Sequence, residues 1–324
     1  MPNNLNKIQV LLEQELDKLK TTLKNSLSYT HDPLKEFITY ILQTPGKQLR
    51  TRLVFLIAGA HGAITQQTQR GAALVSLMHQ ASLLHDDVID EANQRRGRHS
   101  VNAIWGNKQA ILIGNYLLYQ CISLTLKYQD YIFLNQLTNA AQAMIDGELL
   151  QLKAVDPLAV TAELCLTIMH KKTASLMAAC CAIGAMSSGQ ATDKQVKLMY
   201  QLGEVLGMAF QIQDDLLDYH LEADLDKAIN MDIQSGKITL PLVYALQQAN
   251  DQLRKDILAL ISRCKQEPTV IPTIVHFVYS QNGIKLAREK MYFYQAKALK
   301  LATKHLSESA YKTILVRLLS ETIV

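Results

Sequence analysis

The sequence predicts an all-α protein: one domain over residues 1–324, built as a single large bundle of about ten or more mostly antiparallel helices. Three observations lead there. Apolar residues recur at steps of three and four over long stretches, the spacing that keeps side chains on one helix face. The chain has seven prolines, with none between Pro45 and Pro157, between Pro157 and Pro241, or after Pro272, so long helices can run unbroken. No run of alternating β-branched residues marks a strand, and the Asn282–Gly283 pair is flanked by helical patterns.

The first stripe is Leu5, Ile8, Leu12, Leu16, Leu19, Leu23 and Leu27, one buried face of a long helix. Comparable periodicity covers residues 53–85, 133–152, 191–221 and 284–304. Between such stretches, "SYTHDP" (28–33), "TPG" (44–46), "VDP" (155–157), "SSGQATD" (187–193) and "KQEPTVIP" (265–272) read as turns between helices of one domain. The charge-free run at 174–188, "ASLMAACCAIGAMSS", falls short of the ~20 residues a membrane span needs and predicts a core helix. The opening "MPNNLNKIQVLLEQELDKLK" mixes charge through its apolar positions, unlike a signal peptide.

Composition narrows the function. An apolar share of 48% against 19% charged suits a globular chain with a sizeable core, and a net charge of +4 with no basic run interleaved with aromatics argues against nucleic acid. Five cysteines (Cys121, Cys165, Cys180, Cys181, Cys264) are odd in number and lack CxxC spacing. They predict free, buried thiols and a cytoplasmic setting.

The chemistry concentrates in two echoing motifs, "DDVID" at 86–90 and "DDLLD" at 214–218. On a helix, residues four apart share a face, so Asp86 projects beside Asp90 and Asp214 beside Asp218. Like charges so placed cost roughly 0.2–0.5 kcal/mol per pair. A solvated acidic face is one explanation. The apolar neighbours Leu83, Leu84, Val88, Ile89, Leu216 and Leu217 favour another, in which divalent cations offset the repulsion; magnesium suits carboxylates shared with substrate phosphates. Arg95 and Arg96 follow the first motif at the expected end of its helix, where Gly97 can stop it. Their guanidinium forks match phosphate oxygens, although they could also simply neutralise the acidic turn. Metal and arginine together suggest a polyphosphate ligand.

Six segments appear in a familiar order: "GKQLR" (46–50), "HQASLLHDDVID" (79–90), "RRG" (95–97), "KTA" (172–174), "FQIQDDLLD" (210–218) and "SGKITLPL" (235–242). Residues 46–241 thereby resemble the trans-isoprenyl diphosphate synthases, which lengthen an allylic diphosphate with isopentenyl diphosphate. The resemblance implies the isoprenoid synthase fold around a central active-site cavity, and a long-chain enzyme similar to heptaprenyl or octaprenyl diphosphate synthase catalytic subunits. It implies that Asp86, Asp90 and Asp214 hold Mg2+ on the allylic diphosphate, with Asp87, Asp215 and Asp218 as nearer or outer support. Arg95, Lys172, Lys227 and Lys237 would add positive charge to that leaving group. Lys172, Thr173 and Gln211 would steady the allyl cation with carbonyl and hydroxyl dipoles. Lys47, Arg50, His79 and Arg96 match the cradle for the isopentenyl diphosphate. Thr51, Asn115 and Asp226 depart from the family pattern.

Ala81 and Ser82 lie five and four residues before Asp86, where short-product members carry a bulky aromatic. Small residues there, with Met78 in the same wall, imply an open tunnel and a long all-trans product of the kind used for quinone side chains. The expected assembly is a homodimer, or a heterodimer with a regulatory subunit and inactive alone; no transmembrane segment and only peripheral membrane contact for product release are expected. Metal-dependent phosphohydrolysis at "HDD" (85–87) with His79 is a rival reading that leaves the second acidic motif unexplained.

Overall fold

The computed structural model describes residues 2–27, 32–43, 48–153, 160–219 and 231–321; Lys47, Asp226 and Lys227 lie outside the described residues. The first helices are α1 (Pro2–Ser26), α2 (Asp32–Leu42), α3 (Leu49–Ala60) and α4 (Gln66–Ile89). A small hairpin, β1 (Gln94–Arg95) and β2 (Arg98–His99), precedes α5 (Val101–Trp105), α6 (Asn107–Tyr128) and α7 (Tyr131–Lys153). Then come α8 (Ala162–Met169), a π-helical turn (His170–Ala174), α9 (Ser175–Ser187) and α10 (Asp193–Leu217). The remaining helices are α11 (Met231–Gln234), α12 (Leu240–Gln248), α13 (Asp251–Ile261), α14 (Ile271–Ser280), α15 (Gly283–His305) and α16 (Ala310–Glu321). The protein is all-α, as the periodicity predicts; among the described residues the only strands are the two of that hairpin.

By internal contact the chain forms two compact units. The first comprises Met1–Ala141, Ala178–Gln201 and Leu301–Arg317. Its α1 buries Leu12, Leu16, Leu19, Leu23 and Leu27, as the stripe predicts. Its centre is α3, where every residue from Leu53 to Ala58 is at most 1% exposed. A helix buried on all sides has no amphipathic period, which is why the continuous pattern over 53–85 conceals a break. The break lies at His61–Thr65, and α4 restarts from a reciprocal cap: Thr65 Oγ1 accepts from Thr68 N at 3.2 Å, and Thr68 Oγ1 accepts from Thr65 N at 3.0 Å. Gly184 of α9 admits α3 closely, since a Cβ there would meet Val54 O at 2.6 Å. The buried Asp130 carboxylate accepts from Arg70 Nε at 2.5 Å and Nη2 at 3.1 Å, pinning α4 to the turn before α7.

Within this unit α6 packs along α4 and leaves Leu112, Tyr119, Ile122 and Leu126 exposed. It is also the one described helix long and apolar enough by composition to cross a membrane, a feature the sequence reading attached to the run at 174–188 and dismissed there. That run is a core helix, with Ala178 through Ile183 fully buried.

The second unit comprises Gln142–Met177, Leu202–Lys300 and Leu318–Val324. Leu202, Leu206, Ile212, Leu240, Leu242, Ile274 and Ala287 make its core. The buried Tyr219 hydroxyl shares a 2.6 Å hydrogen bond with Thr239 Oγ1, and Tyr279 Oη donates to Tyr219 O at 3.1 Å. These bonds tie the end of α10 to the start of α12 and the end of α14. All five cysteines are free and buried, and burial alone pushes the Cys121 thiol up to about 12.

Candidate active site

The first acidic motif closes α4. Asp86 and Asp87 sit in the last turn and Asp90 is the C-cap, so the helix ends before the arginines instead of at Gly97. The ending is a Schellman motif: Ala92 N donates to Asp87 O at 2.9 Å and Glu91 N to Val88 O at 3.3 Å, with Glu91 at φ 51. Gly97 has a different task. Arg96 (φ 53) and Gly97 (φ 73) form the two-residue turn of the hairpin, in which Gln94 pairs with His99 and Arg95 with Arg98. Positive φ at both central residues matches the twist of such a hairpin.

The hairpin is fastened on both sides. Asn102 Nδ2 donates to Asp87 O at 3.2 Å and Ala92 O at 3.1 Å, and Ser100 Oγ to Ala92 O at 2.5 Å. From α2, Tyr40 Oη donates to His99 O at 2.6 Å, while the Arg98 guanidinium lies 4.2 Å over the Tyr40 ring. Trp105 meets Phe37 and Tyr40 edge-on at 4.8 and 5.1 Å.

The three aspartates of this motif have separate surroundings. Asp90 is exposed and Asp86 half-buried, whereas Asp87 is buried and accepts from Arg95 Nε at 2.6 Å. Burial raises the Asp87 carboxyl above the usual range, and the Arg95 charge opposes that rise. Asp87, which the resemblance gives as support for the metal ligands, is here paired with Arg95. A cavity of about 50 Å3 is lined by Gln80, Asp87, Arg95, Arg96 and Arg98.

Arg50 and His79, which the resemblance gives to the isopentenyl diphosphate cradle, lie near Arg95 and Arg96. Arg50 Nη1 and His79 Nε2 are 3.1 Å apart, and His79 is held well below its usual pKa by burial first and then by Arg50, Arg96 and Arg95. The imidazole is neutral near pH 7, so Nε2 accepts from Arg50. Arg50, His79, Arg95 and Arg96 thus share one positive region, a site suited to an anion. Thr51, a departure from the family pattern, is buried and donates Oγ1 to Gln48 O at 2.9 Å in the first turn of α3. The residues expected to set product length sit on α4: Ala81 and Met78 are buried, and Ser82 Oγ donates to His79 O at 2.9 Å.

The second unit holds the rest. Lys172 and Thr173 lie in the π-helical turn, an irregularity that re-aims side chains and recurs at functional sites. Glycines hold it from two sides. A Cβ on Gly147 would lie 2.8 Å from Lys172 Cγ, and one on Gly207 would lie 2.5 Å from Ala174 Cα. Lys172 Nζ donates to Gln151 Oε1 at 3.0 Å and forms an ion pair with Glu148. Thr173 Oγ1 donates to Gln211 Oε1 at 2.7 Å, Gln211 Nε2 to Asp215 Oδ1 at 3.2 Å, and Leu240 N to Asp215 Oδ2 at 3.2 Å. This series fixes the orientation of the Gln211 amide. Burial pushes the Asp215 carboxyl up to about 7, against the hydrogen bonds from Gln211 and Leu240 N that lower it.

Asp214 is exposed, in the last turn of α10. Asp218 falls one residue past the helix, in a turn, and its Oδ2 accepts from Ile233 N at 3.3 Å. The expected helical i, i+4 pairing of Asp214 with Asp218 therefore breaks at the helix end. Lys237 Nζ is 3.7 Å from Asp232 Oδ1. Sequence reasoning missed Glu148, Gln151 and Gly147; the available signal was "GELLQ", which sets the acid and amide one helical turn apart beside a glycine.

The donor set fits a hard cation. Magnesium takes one or two carboxylates and completes its shell with water and phosphate oxygens. Among the described residues no three His, Cys, Asp or Glu side chains gather into one cluster.

Comparison with known proteins agrees with the geometry. The profile of the polyprenyl synthetase family matches residues 31–278. Octaprenyl diphosphate synthase of Escherichia coli (strain K12) is 31% identical over 250 residues, 77% of this chain and 77% of that protein. Heptaprenyl diphosphate synthase component 2 of Geobacillus stearothermophilus is 34% identical over 236 residues, 72% of this chain and 73% of that one. The structure also resembles a polyprenyl synthase from Caulobacter crescentus CB15 complexed with calcium and isoprenyl diphosphate, with a TM-score of 0.90, 26% identity, and 98% and 97% of the two chains covered.

Proposed function

Because the chain belongs to the polyprenyl synthetase family, a family of prenyltransferases, we propose that it condenses isopentenyl diphosphate head-to-tail with an allylic diphosphate to a long-chain all-trans polyprenyl diphosphate, a quinone side-chain precursor. The observation that carries this reading is the division of labour within the first acidic motif. Asp87 is turned inward to hold Arg95, while Asp86 and Asp90 stay accessible beside a region of three arginines and a neutral histidine.

In this reading Asp86, Asp90 and Asp214 hold magnesium against the allylic diphosphate. Bound magnesium supplies stabilisation of the charge that develops on the leaving oxygen. Arg95 and Lys172 add positive charge to the same leaving group, with Lys227 and Lys237 assisting. Arg50, His79, Arg96 and Lys47 bind the isopentenyl diphosphate separately, so the two anions are not interchanged. Thr173 Oγ1 donates a hydrogen bond to Gln211 Oε1, which leaves the hydroxyl lone pairs for the electron-poor allylic carbon. Asp215 positions this group, and Asp218 accepts from Ile233 N of α11.

Subunit contacts use the exposed apolar side of α6, supported by Leu112, Tyr119, Ile122 and Leu126. A homodimer is the simpler assembly; similarity to a protein named component 2 keeps a heterodimer as the second reading. Buried free thiols support a cytoplasmic location. The test is to incubate the purified chain alone with farnesyl diphosphate, labelled isopentenyl diphosphate and magnesium, then chromatograph the dephosphorylated lipid. Seven or more isoprene units, on the order of the long-chain products implied above, are expected; phosphate release without a lengthened lipid would mean phosphohydrolysis, and activity only after adding a second chain would mean the heterodimer.

A further inference from the structure

Helix α15 carries most of the charge asymmetry of the chain. Between Gly283 and His305 it has six Lys or Arg residues and one Glu, a net +5, whereas the whole chain is +4 and everything outside this helix is therefore −1. Within the second unit its inner stripe is apolar: Ile284, Ala287, Met291 and Ala298 are all at most 6% exposed. The opposite stripe presents Lys285, Arg288, Lys297 and Lys300 to solvent, with Glu289 the one acid among them. At the middle of that basic stripe stand two exposed aromatics, Tyr292 at 50% and Phe293 at 48%.

Both rings stay about half exposed, although Phe293 meets the Tyr294 ring edge-on at 5.4 Å. Lys290 Nζ and Lys297 Nζ lie 5.3 and 4.2 Å from the Phe293 ring centroid, one helical turn on either side of it. The two ammonium groups thus sit over the ring as cation–π partners, so positive charge and an aromatic surface are presented together. A plain solvated face needs no aromatic centre, and an acidic protein partner would be matched by the charges alone. A basic face with Tyr and Phe at its centre matches the boundary of an anionic bilayer, where rings enter the headgroup layer and lysines meet lipid phosphates.

We propose that the outer face of α15 docks on anionic membrane lipid, through Tyr292 and Phe293 with Lys290 and Lys297 beside them. The purpose of such docking, handing an insoluble product to the bilayer, rests on the prenyl-transfer reading; the docking itself does not.

The experiment is co-sedimentation of the full chain with phosphatidylcholine vesicles, with and without phosphatidylglycerol, at low and high salt, and without substrate. Binding to the phosphatidylglycerol vesicles, weakened by salt, is expected. Tyr292→Ala/Phe293→Ala and Lys290→Glu/Lys297→Glu should each weaken it by about tenfold or more while thermal unfolding stays near wild type, because these side chains lie outside the core. Equal binding to both vesicle types, no binding, or binding unchanged in both variants overturns the proposal. So does polyglutamate competing fully while the aromatic variant behaves as wild type, which would make the face a simple polyanion contact. Elongation of farnesyl diphosphate in detergent by the same variants separates this outcome from a failure of the enzymatic reading.

Discussion

Arg95 Nε donates to Asp87 Oδ1 at 2.6 Å, Nη2 lies 2.6 Å from the same oxygen, and only 4% of the Asp87 side chain is exposed. Removing one member of a buried pair strands the other charge. Arg95 is about one-third exposed, so the cost is discounted to about 1–2 kcal/mol. Asp87→Asn should lower the thermal midpoint accordingly and lower turnover, with the magnesium concentration for half-maximal rate within about threefold of wild type. A large shift in that concentration with an unchanged midpoint would return Asp87 to the metal ligands.

Tyr40 lines the cavity beside Arg95 and Arg96 and holds the hairpin through His99 O. Tyr40→Phe deletes the 2.6 Å bond to His99 O and keeps the ring under Arg98. A loss of about 1 kcal/mol corresponds to a rise of roughly fivefold in KM for isopentenyl diphosphate, with kcat less affected. Trp105, the single tryptophan, touches Tyr40 edge-on, so its emission should respond to pyrophosphate in wild type and respond less in the variant.

Gly147 leaves room for the π-helical turn. Gly147→Ala would bring a methyl to 2.8 Å from Lys172 Cγ and 3.1 Å from Lys172 N, displacing the turn that aims Lys172 and Thr173. Turnover should fall by about 10²-fold, measured as single-turnover elongation, and by more than in Glu148→Gln, which alters only the partner of Lys172.

His79 gives the fold an acid sensitivity. Its folded pKa is lowered by burial, so as pH falls below about 6.5 the unfolded chain takes up a proton that the folded chain does not, and stability drops by up to about 1.4 kcal/mol per pH unit. The contribution is fully present above the unfolded pKa and is lost on acidification. His79→Gln should flatten the thermal midpoint between pH 7 and 5 relative to wild type.

Ala81 is fully buried on α4. Ala81→Phe and Ser82→Phe should shorten the product, read by chromatography of the dephosphorylated lipid. Unchanged length with retained activity would retire the tunnel. Thermal unfolding identifies any overpacking, which costs about 1–3 kcal/mol.

The long helices were legible because each shows a stripe: Leu12 to Leu27 of α1 are buried on schedule. The break between α3 and α4 was hidden because α3 is apolar on every face and Gly62 alone marks the turn. The hairpin was hidden because two-residue strands cannot display an alternating pattern, so Gly97 looked like a helix stop. Residue types announced the aspartates and arginines, but not their division of labour. That Asp87 and Asp215 turn inward while Asp86 and Asp214 do not depends on neighbours such as Arg95 and Leu240 N, brought close only by folding. The π-helical turn at 170–174 is a change in hydrogen-bond register that composition does not record.

The central claim is that both acidic motifs serve one magnesium-dependent prenyl transfer. It is tested most directly by the rate at which Asp214→Asn incorporates labelled isopentenyl diphosphate into extractable lipid at saturating magnesium. A loss of about 10²-fold or more is expected with thermal stability retained, since Asp214 is exposed. A rate within about threefold of wild type would contradict it.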